Sequence, residues 1–186
     1  MTTALLLIDV QTGVLDGSAT PARQPLVDRA QTALIGRLQG VLARARAQGI
    51  PVVFVQHNEG PGEPLATGSA GWQLRSDLAP QPGEAVVQKD TWDSFHNTTL
   101  VHILGSSSVD HLIVGGFATD FCIDASCRRA VEIGFEVTLL ADGHMTGDSA
   151  GQPFEEIIAE FNADLDGLSS GGCQITLRPC DAVPGG

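Results

Sequence analysis

HLIVGGFATDFCIDASCRRAVEIGFEVTLL, residues 111–140, holds a complete strand–turn–helix–strand unit. HLIVGG (111–116) and EVTLL (136–140) are apolar on nearly every residue, the pattern of strands covered by helices on both faces. Between them Ile123, Cys127, Ala130 and Val131 recur at three-to-four spacing and line one face of a helix. Two such strands joined by a helix pair in parallel through a right-handed crossover. The alternation extends both ways along the chain. ALLLI (4–8), VVFV (52–55), AVV (85–87) and QITL (174–177) read as further strands. Val27, Ala30, Leu34, Leu38, Val41 and Ala45 form one helical face, stopped by Gly49 and Pro51; Phe154, Ile157, Ile158, Phe161 and Leu165 form another. No internal repeat is present. The expected fold is an open α/β parallel sheet with helices on both faces, and its chemistry belongs outside the carboxyl ends of the strands.

Length and composition narrow the function. At 186 residues the chain fits one domain, 1–186, large enough to bury a full core. The tail beyond Pro179 is expected to be loose. Residues 57–84, rich in Gly and Pro, are too long for a simple connector and read as a functional loop. A net charge of −12 excludes nucleic acid and anionic membrane surfaces as partners. No stretch approaches the roughly 20 apolar residues of a membrane span. MTTALLLIDVQ lacks the basic start and cleavage site of a signal peptide, so a cytoplasmic protein is expected. Four cysteines form no C-x-x-C pair, which argues against a zinc ribbon or a redox motif.

Reading the residue at the end of each strand tests for function. The first strand ends at Asp9, the third at Lys89, and the fourth runs through GGFATDFC into a helix whose first turn carries Cys122. Each has a structural reading too: a turn-capping acid, a stray lysine, a small buried hydrophobe. Lys89 is the only lysine among ten basic residues. A compact ammonium beside a reacting atom is a task that guanidinium performs poorly. A helix start and a nearby cation lower a thiol pKa from about 8.5 to as little as about 3.5–7.5, which marks Cys122 as a nucleophile. Cys127 shares the apolar helix face and reads as core, as do Cys173 and Cys180 beside the last strand. An acid, an ammonium and a thiol are thus expected on one sheet edge.

With these residues in place the chain resembles the isochorismatase-like cysteine hydrolases, which include nicotinamidases, N-carbamoylsarcosine amidases and ureidoacrylate amidohydrolases. The matching segments are ALLLIDVQTG, PVVFVQHN, VVQKDTWDSFHNTTL, HLIVGGFATDFCIDASCRRAVEIGFEVTLLAD and the late helix around FEEIIAEFN. LLLIDVQ, K-x-x-x-x-S-F and G-x-x-T-x-x-C follow in that order. The resemblance implies a six-stranded parallel sheet of order 3-2-1-4-5-6 and a catalytic triad of Asp9, Lys89 and Cys122. It also implies a cis peptide between Phe117 and Ala118, which aims the amides of Ala118 and Cys122 at one oxyanion. Gln11, His57, Trp92, Phe95 and Phe121 are the expected substrate contacts, with Trp72 and His96 nearby. At these spots the aromatics suit a core or a subunit contact equally well. A homo-oligomer, dimer or tetramer, and no cofactor are expected.

The metal-binding relatives carry an Asp-x-His pair and a further His after the second strand. Here Val55 precedes His57 by two, and no second histidine follows before His96, so no metal is expected. The sequence leaves three functions open: thiol-dependent cleavage of an amide or ureido C–N bond, hydrolysis of a non-amide bond as in isochorismate, and a non-catalytic binding or assembly module. A dinucleotide site is disfavoured because no G-x-G-x-x-G follows the first strand.

Overall fold

The structure is a computed structural model that describes residues 1–183. In chain order it contains β1 (Thr3–Ile8), α1 (Gln24–Ala47), β2 (Val52–His57), β3 (Ala85–Lys89), α2 (Leu100–Ser106) and β4 (His111–Phe117). After a π-helical turn at Thr119–Ile123 come α3 (Asp124–Glu132), β5 (Glu136–Met145), α4 (Phe154–Leu165), β6 (Ser169–Ser170) and β7 (Cys173–Arg178). The sheet order is β3-β2-β1-β4-β5-β7-β6. All pairings are parallel except β6 with β7. The six parallel strands follow the expected 3-2-1-4-5-6 order. The sheet has seven strands rather than six, because Ser169–Ser170 folds back on β7 through Gly171 and Gly172, both at positive φ. Two serines leave no hydrophobic period, so this arm is silent in the sequence.

The central strands separate two cores by simple alternation. Ala4, Leu6 and Ile8 face one layer with Leu112, Val114, Cys127 and Val131; Leu5 and Leu7 face the other with Leu34, Leu38, Val41 and Phe54. Burying strands on both faces requires residue after residue to be apolar, and β1 and β4 comply. Helix α1 begins with a proline in its first turn and ends where Gly49 takes φ 67°, with the Ile50 N–H donating back to the Ala45 carbonyl.

Two expectations change. Residues 180–183 are docked, not loose: Cys180 and Val183 are buried, and Arg44 donates to both of their carbonyls. The Cys180 N–H also donates to Asp142 Oδ1 at 2.7 Å. The rest of the tail lies outside the described residues. Strand β5 continues to Met145, well past the apolar run, because a register shift against β4 pairs Gly116 with His144. At Gly116 (φ 125°) a Cβ would stand 2.0 Å from the Ile8 carbonyl oxygen, so only glycine lets β4 run this close to β1. The loop after β2 is tied down beside the strand ends, where Thr12 and Gly13 donate to the carbonyls of Gln73 and Gly71.

Candidate active site

The sheet order places β1 between β2 and β4, so what leaves β1, β3 and β4 converges at one edge. Asp9 follows β1 at φ 53°, a conformation rarely adopted by residues other than glycine, with its N–H held by the Val55 carbonyl at 2.9 Å. Lys89 is the last residue of β3, and Cys122 sits in the π-helical turn after β4. The Lys89 Nζ lies 2.9 Å from Asp9 Oδ2, 3.0 Å from Cys122 Sγ, 3.1 Å from His57 Nδ1 and 3.0 Å from the Thr91 carbonyl oxygen. Lys89 is 3% exposed and Asp9 2%. A charged pair this deep persists only because each group is bonded to the other.

An ammonium has three N–H groups, and here four acceptors surround it. One contact therefore goes without a hydrogen, and the neutral sulfur, the weakest acceptor, is the one left over at rest. The second carboxylate oxygen, Asp9 Oδ1, is buried with no hydrogen-bond partner among the described residues. Burial pushes the Cys122 thiol well above the usual cysteine range; the Asp9 carboxylate adds to this, and Lys89 offsets it only in part. The expected acidic thiol is therefore corrected: a helix start and a cation do not outweigh desolvation here. Burial works against the Lys89 charge, but the Asp9 carboxylate beside it pulls the other way and the ammonium is held above its usual range. The resting cluster is a carboxylate, an ammonium and a neutral thiol. Burial and the adjacent Lys89 keep His57 neutral. An ammonium only donates, so His57 Nδ1 is the acceptor and its ring proton sits on Nε2.

A cavity of about 250 Å³ opens over the thiol, lined by Asp9, His57, Glu59, Ala118 and Phe121 among others. The peptide between Phe117 and Ala118, at its floor, is cis. A larger cleft of about 500 Å³ lies elsewhere, between residues 17–23 and 148–153, but its cation Arg23 is already bound by Asp148 and Glu155.

Residues 3–156 match the Isochorismatase domain family model. The chain belongs to the isochorismatase family. The match runs from β1 into the first turn of α4 and so takes in Asp9, Lys89 and Cys122. The chain is 37% identical over 151 residues to a streptothricin hydrolase of Streptomyces noursei, which covers 81% of this chain and 52% of the relative. It thus spans about half the length of that protein. It is 29% identical to the ureidoacrylate amidohydrolase of Enterobacter sp. strain 638, over 97% of this chain and 88% of that one. Among solved structures, an isochorismatase from Pseudomonas putida KT2440 superposes with a TM-score of 0.83 at 25% identity, covering 97% and 89% of the two chains.

Within this family fold, the expected contacts divide. His57, Trp92 and Phe121 line the cavity. Gln11 does not: it is wholly buried, its Nε2 donates to the carbonyls of His57 and Trp72, and its Oε1 accepts the His57 N–H. Its amide splices β1 to β2 and the long loop. Phe95 is also withdrawn, packed in the core at 5.9 Å from Phe135. Trp72 donates its indole N–H to Asn58, and His96 is exposed beside Asn97. The sequence reading missed Glu59 and Leu65, which come from a loop with no period to follow.

It also missed His144. Asn162 donates to the Ala141 carbonyl, so its Oδ1 accepts from His144 Nε2, and His144 Nδ1 in turn accepts from the Thr119 hydroxyl at 2.8 Å. This chain ties α4 to the turn that carries Ala118 and Cys122. Burial lowers the His144 pKa to about 4. The unfolded chain, with a histidine near 6.5, binds a proton that the fold rejects, so stability falls as the pH drops below about 6.5 and levels off near 4. The expected loss from this residue is on the order of 3 kcal/mol. Urea unfolding at pH 7 and 4.5 checks it: His144→Gln should lose clearly less than the parent on acidification. An equal loss in both proteins would assign the acid sensitivity to carboxylates.

Proposed function

We propose that the protein is a cysteine hydrolase that cleaves the C–N bond of a small amide or ureido substrate through a thioester. The observation that carries this reading is one ammonium, Lys89, in contact with both a carboxylate and a thiol on the floor of a cavity. Asp9, through its unpartnered Oδ1, takes the thiol proton as the sulfur attacks the carbonyl carbon. As the proton leaves and before the S–C bond is complete, the developing thiolate claims the N–H that the neutral sulfur could not hold. The amides of Ala118 and Cys122 receive the oxyanion, each worth about 2.7–4 kcal/mol at the transition state. The C–N bond breaks, Asp9 returns its proton to the departing amine, and the acyl group stays on sulfur. Water then attacks the thioester, giving up one proton to Asp9 and restoring the thiol. The names of the similar streptothricin and ureidoacrylate hydrolases support an amide-type bond.

Ligand atoms of Asp9, His57 and Cys122 lie within 4.8 Å of one another, a spacing that suits a metal ion. Lys89 Nζ already touches all three, so an added divalent cation would face an ammonium at contact distance. The donor set does not fit a metal while Lys89 is in place, and the reaction proceeds without one. The reading extends to a homo-oligomer, supported by the exposed Val86 and Val101, and to a cytoplasmic site of action, supported by four unpaired cysteines. Among the described residues no helix is long and apolar enough to cross a membrane.

The test is a panel of small amides and ureides scored for released ammonia or amine, with and without a chelator, and with the enzyme's mass recorded during turnover. Expected are turnover of at least one compound, an acyl adduct on the peptide containing Cys122, and a rate that chelation leaves unchanged. Activity lost on chelation and restored by zinc or iron would overturn the mechanism and make His57 a ligand.

A further inference from the structure

The geometry points to charge selection at this pocket: it favours amides that carry a positive group near the scissile bond, with Glu59 and Asp90 setting the preference. The chemistry rests on the hydrolase reading above, whereas the charge argument stands apart from it. The cavity over the thiol adjoins a second of about 420 Å³, and the two share His57 and Trp92. Glu59 lines the first and Asp90 the second. Most other charges around them cancel: Asp9 with Lys89, and Asp93 with Arg129 at 3.8 Å. His57 is neutral. Glu59 and Asp90 form no ion pair among the described residues. The lined space therefore carries two uncompensated negative charges.

Glu59 is also held in place. Its Oε2 accepts the Leu65 N–H at 2.8 Å, and its own N–H donates to the Leu65 carbonyl at 3.0 Å, which fixes the carboxylate at the cavity wall. Trp92, 59% exposed, lines both cavities and meets Phe121 in a T-shaped pair at 5.0 Å. A carboxylate beside an open indole is a setting for an ammonium or guanidinium. An anionic substrate would find no free cation, because the N–H groups of Lys89 are already oversubscribed by four acceptors. The net charge of −12 adds long-range attraction for cations.

Two measurements on the intact protein test this. The first is the rate at which Cys122 reacts with a methanethiosulfonate bearing an ethyltrimethylammonium group, relative to one bearing an ethylsulfonate, read by mass on the Cys122 peptide. At low salt the cation-to-anion ratio should exceed that of a small free thiol by about tenfold, and should shrink in 0.5 M salt. Glu59→Gln should lower the ratio about threefold or more. Glu63→Gln, which removes the same charge from an exposed position on the same loop, should leave it unchanged. The second measurement compares kcat/KM for 3-aminopropanamide, butanamide and succinamate, with the cationic amide preferred over its neutral isostere by about tenfold. A ratio equal to that of the free thiol, or equal effects of the Glu59 and Glu63 variants, would overturn charge selection. A high ratio with no compound of the wider amide and ureide panel cleaved would leave charge selection standing and sink the hydrolase reading.

Discussion

Lys89→Arg is expected to lower kcat/KM at least a hundredfold although it keeps the charge. The site leaves no room for a planar fork. Nζ stands 2.9–3.1 Å from a carboxylate, a sulfur, an imidazole nitrogen and a carbonyl, four acceptors crowded around one atom, which suits a point charge. A guanidinium must lie in one plane and so gives up part of this set. It also needs space that a 3% exposed residue does not have, forcing shifts of about 1 Å, enough to cost on the order of a hundredfold in rate. Lys89 is the group that partly offsets the upward push on the Cys122 thiol. Spreading its charge away from the sulfur pushes the thiol further up, and alkylation of Cys122 should then slow at any given pH. The comparison needs turnover, the pH profile of alkylation, and a denaturation curve to show that the variant is folded. A variant that keeps more than a tenth of the activity with an unchanged profile would remove Lys89 from the machinery.

Cys122→Ala should abolish turnover, a loss on the order of 10⁴-fold or more when the nucleophile is removed. It takes away a sulfur at the cavity floor, and the turn around it remains held by the Thr119–His144–Asn162 chain. Cys127→Ala is the matched control. That thiol is fully buried on the inner face of α3, and burial pushes its pKa up, with the Asp124 carboxylate adding to the push. Its loss should leave the rate intact and cost about 1 kcal/mol of stability. Turnover assays and urea unfolding of both variants decide the matter. Activity surviving in Cys122→Ala and vanishing in Cys127→Ala would mean that the nucleophile has been misplaced.

The legibility of this molecule followed its periodicity. Strands β1, β2 and β4 and the face of α1 stand where unbroken apolar runs and three-to-four spacing put them, because burial on both sides leaves few other residue choices. Where burial is not the rule, the reading failed. The two-residue β6, the far half of β5 and the docked segment 180–183 are held by hydrogen bonds and a register shift, which carry no pattern along the chain. Gln11 and Phe95 show the same limit within the site. A polar side chain after the first strand and an aromatic beside the lysine segment look like ligand contacts in one dimension, yet one is spent on backbone groups and the other on the core.

The order of the six parallel strands was implied only by the family resemblance; by itself the sequence determined the class of fold and the three chemical groups at the strand ends. Those follow from composition along short segments, where each residue answers to its immediate neighbours. Only the tertiary structure decided the state of those groups. Whether Cys122 is acidic depends on how deeply the turn sinks and on what stands across from it, and depth won over the cation. The tautomer of His57, the orphaned oxygen of Asp9 and the uncompensated charges of Glu59 and Asp90 likewise arise between residues far apart in the chain. Electrostatic energy depends on distance and solvent access in three dimensions, and sequence order specifies neither.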